Sequence, residues 1–241
     1  MAFSGIATQA AEAPPAVVLE SFACTYNAGQ DKGDVLDARD YMVKQAAKAG
    51  VTLAPSYLWE NSKGGPGIDH IWFSVHQSLA DFAAEAEAFG SAPELEGVNA
   101  RFDKVASCES NLANARPLFQ GSAAPEPGPG QVFIASNACN FRPGAGPADL
   151  PDLESHVNGV LSEISAYDAT TIIMATPITQ GANPADLYVF SINESPSAWA
   201  ANSAAFQASE AAAGLGRHFR SILDCRTALW SSEQVVGGEE E

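Results

Sequence analysis

The chain has 241 residues with 46% hydrophobic content, enough to bury one large core or two small ones. Its 12 Lys+Arg against 29 Asp+Glu give a formal charge of −17, which argues against binding nucleic acid or an anionic membrane surface. The sequence has no run of about 18 apolar residues, so no helix is expected to cross a bilayer.

"MAFSGIATQAAEAPP", residues 1–15, reads as the end of a secretory signal peptide: an apolar remnant followed by small residues, without the charged n-region. The same composition also suits an Ala-rich disordered tail. Residues 16–26 are β-prone, and Asp34 is placed to cap a helix to about Lys48 that Gly50 stops. "TLAPSYLWE" (52–60) and "IDHIWFSVH" (68–76) predict two strands joined by a turn-rich segment. Ser78 then caps a helix whose apolar stripe is Leu79, Phe82, Ala83, Ala86 and Phe89. "FDKVASCES" (102–110) predicts a closing strand, and the order is β-α-β-β-α-β.

That order returns. "LESFACTYNAG" (19–29) aligns with "IASNACNFRPG" (134–144), "IDHIWFSVHQSLADFAAEAEAF" (68–89) with "ADLYVFSINESPSAWAANSAAF" (185–206), and "FDKVASCESNL" (102–112) with "FRSILDCRTAL" (219–229). Three blocks at nearly constant offset point to two tandem homologous units. In the second, strands are expected at 131–141, 170–178, 185–193 and 219–228, with helices from Asp149 to Tyr167 and from Ser195. The expected organisation is a leader remnant or tail (1–15), repeat 1 (16–120), a Pro/Gly linker (121–130), repeat 2 (131–230) and an acidic tail (231–241).

A four-stranded sheet with helices on one face leaves the other face bare, and two such sheets can bury those faces against each other. The expected fold class is therefore α+β: two tandem ferredoxin-like (βαββαβ) repeats packed sheet to sheet as an intramolecular α+β barrel. In this the chain resembles the dimeric α+β barrel superfamily in fused form. That superfamily includes antibiotic-biosynthesis-monooxygenase-like domains, stress-responsive barrel proteins and the fused chlorite dismutase-like haem proteins. The resemblance rests on element order and on no diagnostic motif, so it carries fold further than function.

In this topology the first strand lies antiparallel to the last, so Cys24 can face Cys108 and Cys139 can face Cys225. Two such disulfides imply an oxidising compartment, periplasmic or secreted, in agreement with the leader remnant. Reduced cysteines buried as small hydrophobes are the alternative. A metal site is not expected, because neither unit has CxxC or a Cys/His cluster at ligand spacing.

On the third strand, alternation separates Ile71, Phe73 and Val75 from His70, Trp72, Ser74 and His76. The apolar set is expected under the helices and the polar set inside the barrel, opposite Leu187, Val189, Ser191 and Asn193 of the second unit, with Tyr57 and Trp59 lining the mouth. The candidate ligand-binding residues are thus Tyr57, Trp59, His70, Trp72, Ser74, His76 and Asn193. His156 occupies the one place that could mimic the haem-ligating histidine of the fused haem relatives, yet "LPDLESHVNGV" carries no haem signature, and no cofactor is expected. His218 is assigned to a turn. Neither GxSxG, P-loop, GxGxxG nor HExxH occurs. Three readings remain open: an exported protein binding a small apolar or aromatic molecule, ranked first; a cofactor-independent monooxygenase or isomerase using His70 or His76 as base; and a structural or interaction module. Whether the chain is a monomer or homodimer stays open.

Overall fold

The computed structural model describes residues 16–64, 67–124, 130–179 and 184–237. The leader-like segment 1–15, the centre of the Pro/Gly linker and the last four residues of the acidic tail lie outside them. The first half runs β1 (Val17–Tyr26), α1 (Lys32–Ala49), β2 (Ser56–Gly64), β3 (His70–His76), α2 (Leu79–Ser91), α3 (Val98–Val105) and β4 (Ala106–Gln120). The second runs β5 (Val132–Phe141), α4 (Leu150–Leu161), β6 (Thr171–Pro177), β7 (Leu187–Asn193), α5 (Pro196–Ala208), α6 (Glu210–Ile222) and β8 (Leu223–Val236).

The expected face-to-face stacking of two ferredoxin-like sheets is not what forms. All eight strands hydrogen-bond into one closed antiparallel barrel in the order β1-β3-β2-β8-β5-β7-β6-β4, with the helices outside. The cause lies in the two long strands. β4 pairs with β1 along its first ten residues, and its second half continues against β6 from Ala113↔Pro177 to Gln120↔Thr171. β8 likewise pairs with β5 up to Ser232 and with β2 up to Val236. Each half thereby caps the edge of the other, and closure leaves no open row of backbone donors and acceptors. Pro117, which has no N–H to give a ladder, sits where the β4–β6 register shifts.

Inward alternation fills the barrel from every strand: Leu19 (β1), Trp59 (β2), Phe73 (β3), Ala115 (β4), Ile134 (β5), Ala175 (β6), Phe190 (β7) and Trp230 (β8) belong to one cluster. Only the interior is common to eight strands, so this cluster is the barrel core. Its aromatic centre is tight, with Trp59 4.2 Å from Phe73 and 5.1 Å from Phe190 between ring centroids. The space between the sheet halves is packed solid by side chains.

Outside, the two halves differ. Leu153, Val157 and Leu161 of α4 and Leu215 and Ile222 of α6 close over Leu187 and Val189 of β7 in a single continuous cluster. Over the first half the packing splits into two smaller clusters, one around Cys24, Leu58 and Trp72 and one around Ala46, Leu95 and Val98. α1 is capped by Asp31, not Asp34; Asp34 is the reciprocal partner of a capping box, and Gly50 ends the helix at φ 68°. Ser78 caps α2 as expected, but α2 has no buried residue. The segments read as closing strands begin instead with helices: Phe102 and Phe219 lie on α3 and α6, as does His218. Cys24 and Cys139 sit directly opposite Cys108 and Cys225, and both pairs are disulfide-bonded.

Candidate functional site

A cavity of about 620 Å³ lies between the outer face of the first half-sheet and α1, α2 and α3. The loose packing of α2 is what leaves it open. Its floor is Phe22 and Cys24 of β1, Ser56 of β2, and His70, Trp72, Ser74 and His76 of β3; Phe82 and Glu85 come from α2, and Phe102 and Asp103 from α3.

The sequence pattern identifies the right face of β3 and assigns it to the wrong side. His70, Trp72, Ser74 and His76 gather under the helices, whereas Ile71 and Phe73 pack into the barrel. Both faces of a barrel strand are dry, so apolarity alone does not say which one looks inward. Trp59 and Tyr57 belong to the interior cluster and do not line the cavity. Asn193 lies on the outer face of the other half, its amide hydrogen-bonded to that of Asn202 on α5 at 2.9 Å. Four of the seven ligand-binding candidates therefore meet in one place.

Polar groups along the cavity form two sets. In the first, Trp72 Nε1 donates to Ser74 Oγ (3.2 Å), Ser74 and Ser56 share a hydroxyl bond (3.0 Å), and Ser56 Oγ donates to the Ala54 carbonyl (3.0 Å). Since Ser56 spends its proton on Ala54, Ser74 is the donor within the pair, and the chain of bonds runs one way. It anchors the indole N–H of Trp72.

The second set is ionisable. His76 is buried, with Nε2 3.8 Å from Glu20 Oε2 and Nδ1 3.6 Å from Glu85 Oε2. These distances are ion-pair contacts longer than hydrogen bonds, and Nε2 has no hydrogen-bond partner. Glu85 Oε2 accepts from Ala54 N at 3.0 Å, which fixes α2 to the start of β2. Burial, followed by the charge of Glu85, pushes the Glu20 carboxyl up to about 7. At the far end His70 stacks on Tyr26, centroids 4.6 Å apart, with Nδ1 buried and unpartnered. Burial lowers His70 to about 4 against the opposing pull of Asp69 and Glu60, so its ring is neutral near pH 7. Tyr26 is pushed up to about 12, chiefly by burial.

Glu20, Ser56, Glu85 and Asp103 are missed by the sequence reading. A signal for three of them exists in the half-to-half register. Glu20 pairs with Ser74 where Ala135 pairs with Ser191; Ser56 pairs with Ser74 where Ile172 pairs with Ser191. Glu85 stands seven residues after the cap Ser78, as Asn202 does after Ser195. Extending the β3 comparison to these neighbours collects Glu20, Ser56 and Glu85 but not Asp103.

No family model matches the chain. A search of curated proteins finds no match either. Solved structures do share the fold. A proposed monooxygenase from Fusobacterium nucleatum subsp. nucleatum has TM-score 0.58 and 10% identity, covering 95% of this chain and 98% of that one. An anthrone oxidase-like protein has TM-score 0.55 and 12% identity over 94% and 97%. A chlorite dismutase mutant from Candidatus Nitrospira defluvii has TM-score 0.54 and 7% identity over 91% and 92%. At such identities the likeness concerns the fold.

The expectation of no cofactor is overturned as an inference from the fold, because chlorite dismutases, named above as haem proteins, are among these neighbours. The residues of this chain do not fit haem itself. His156 Nδ1 lies 3.0 Å from His218 Nδ1, and the cleft of about 370 Å³ beside His218 is lined by Asp149 and Asp152 with no Lys or Arg among the described residues to meet haem propionates. The cavity of the first half offers histidines but lines them with three carboxylates and no Lys or Arg to meet the haem propionates. Among the described residues no group of three or more His, Cys, Asp or Glu could hold a metal ion.

Proposed function

We propose that the protein binds a small, largely apolar or aromatic molecule between the first half-sheet and α1–α3. One observation carries this reading: the cavity lies over buried polar groups, His70 Nδ1 and His76 Nε2, that have no hydrogen-bond partner among the described residues. Burying such groups unsatisfied costs roughly 1–3 kcal/mol each, and a bound molecule offers the missing bonds. Trp72, Phe82, Phe89 and Phe102 supply flat apolar contact around them. The corresponding space in the second half is closed by Leu187, Val189, Leu153 and Leu215, so the reading assigns one site per chain. Both disulfides are consistent with an extracellular protein, and export belongs to the proposal.

An oxidase- or monooxygenase-like activity at the same site is the second reading. It is favoured by His76, which stands between two carboxylates and could accept a proton from a bound substrate. A thermal-shift screen of aromatic compounds against the wild type, Trp72→Ala and His76→Ala tests both. The binding reading expects hits that both variants weaken; hits indifferent to both variants would remove the site. Turnover lost in His76→Ala with binding retained would favour the enzyme.

A further inference from the structure

We propose that the molecule held in this cavity carries a protonated amine, placed between Glu20 and Glu85 beside His76, with its apolar body against Trp72. The proposal rests on the binding reading above and adds the chemical class of the ligand. Among the described residues three carboxylates, Glu20, Glu85 and Asp103, line the cavity, and no Lys or Arg does. The two histidines there cannot neutralise them, since His70 is neutral near pH 7 and His76 brings at most one charge to two carboxylates.

The hydrogen-bond inventory points the same way. Among the described residues no side chain hydrogen-bonds the Glu20 carboxyl, and His76 Nε2 stands 3.8 Å from its Oε2. His76 Nε2 is buried without a partner on that same side. What the site lacks is donors and positive charge. An ammonium group supplies three N–H donors and one charge in a volume the cavity accommodates. An anionic ligand would instead meet two desolvated carboxylates with nothing to offset the repulsion. The overall charge of −17 also raises the local concentration of cations over anions.

Ionisation sets the pH dependence. The titratable groups that line the cavity with Glu20 are His76 and His70 from β3, Glu85 from α2 and Asp103 from α3; β2 contributes the neutral Ser56, and α1 the apolar Val35 and Met42. Glu20 is half-protonated at about 7 without ligand. Binding of an ammonium therefore strengthens as pH rises through that value, and the bound cation draws the Glu20 carboxyl downward.

The test uses the full-length chain and three probes sharing one indole: tryptamine (ammonium), tryptophol (hydroxyl) and indole-3-acetate (carboxylate), titrated by calorimetry at pH 5.5 and 8. The expected order at pH 8 is tryptamine, then tryptophol, then indole-3-acetate. Tryptamine should lead tryptophol by about tenfold, the size of one charge-assisted hydrogen bond, and by less at pH 5.5. Glu20→Gln and Glu85→Gln should each cut that ratio several-fold while leaving tryptophol affinity nearly unchanged, which also shows that the variants are folded. Tryptophol matching tryptamine, or indole-3-acetate binding tightest, would overturn the amine inference and leave the binding site standing. Failure of all three probes to bind would count against the site itself and the amine with it.

Discussion

Replacing Glu20 by Gln should stabilise the free protein, by an amount that grows with pH. In the unfolded chain the carboxyl titrates at 4.5, and in the folded one at about 7, because burial and Glu85 disfavour its charged form. Below pH 4.5 both states are protonated and the site costs nothing. Between 4.5 and 7 the unfolded chain has released its proton while the folded chain retains it, so stability falls as pH rises; above 7 the loss is complete. The full difference corresponds to about 3 kcal/mol. A quarter of the side chain remains accessible to water, and solvent screening reduces the cost to roughly 1–2 kcal/mol. Gln keeps the size and removes the charge. Urea unfolding at pH 4.5, 6 and 8 should thus give equal stabilities for the two proteins at the first and a Glu20→Gln advantage at the last, with the m-value unchanged. An advantage independent of pH, or largest at pH 4.5, would refute the electrostatic account of this site.

His70 acts with the opposite sign: its folded-state value of about 4 lies below the ordinary histidine value of 6.5, so stability is lost as pH falls between those limits, and His70→Gln should flatten that loss in pH-dependent melts. Each disulfide closes a loop of about 85 residues, for which the chain-entropy model gives about 4.5 kcal/mol; reduction of either pair should lower the urea midpoint sharply, and little change would mean that barrel closure alone holds these strands. Trp230 is 2% exposed in the barrel interior and donates to Ser136 Oγ at 2.8 Å. Trp230→Ala should cost about 3–5 kcal/mol without altering ligand affinity, measurable by combining unfolding with titration.

What was legible in the sequence had local physical signatures. Gly50 beyond an apolar-striped segment and Ser78 before one marked helix ends by capping chemistry, and both act as caps. The cysteine pairs followed from strand adjacency. The pattern also singled out the outer face of β3 by its contrast with β7. Three features stayed hidden. Barrel closure depends on β4 and β8 running past their own sheets, and "ANARPLFQ" (113–120), which lies beyond the expected strand 102–110, continues β4 against β6 with a register shift after Pro117. Gly97, the N-cap of α3, makes no side-chain cap, so no polar start signal precedes Phe102. The inward or outward sense of β3 requires knowing what covers each face, which depends on the second half of the chain. His156 and His218, separated in the sequence by 62 positions, meet only because α4 and α6 pack together.

The central claim is that a ligand sits between the first half-sheet and its helices, outside a solid barrel. Backbone and indole NMR shifts on titrating tryptamine into the labelled protein test it most directly. The account predicts that the largest changes fall on Trp72 Nε1–H and on the amides of Ser74, His76, Phe82 and Glu85, with Trp59 and Trp230 Nε1–H unmoved. Changes centred on Trp59 and Trp230, or spread over β7 and α5, would contradict it.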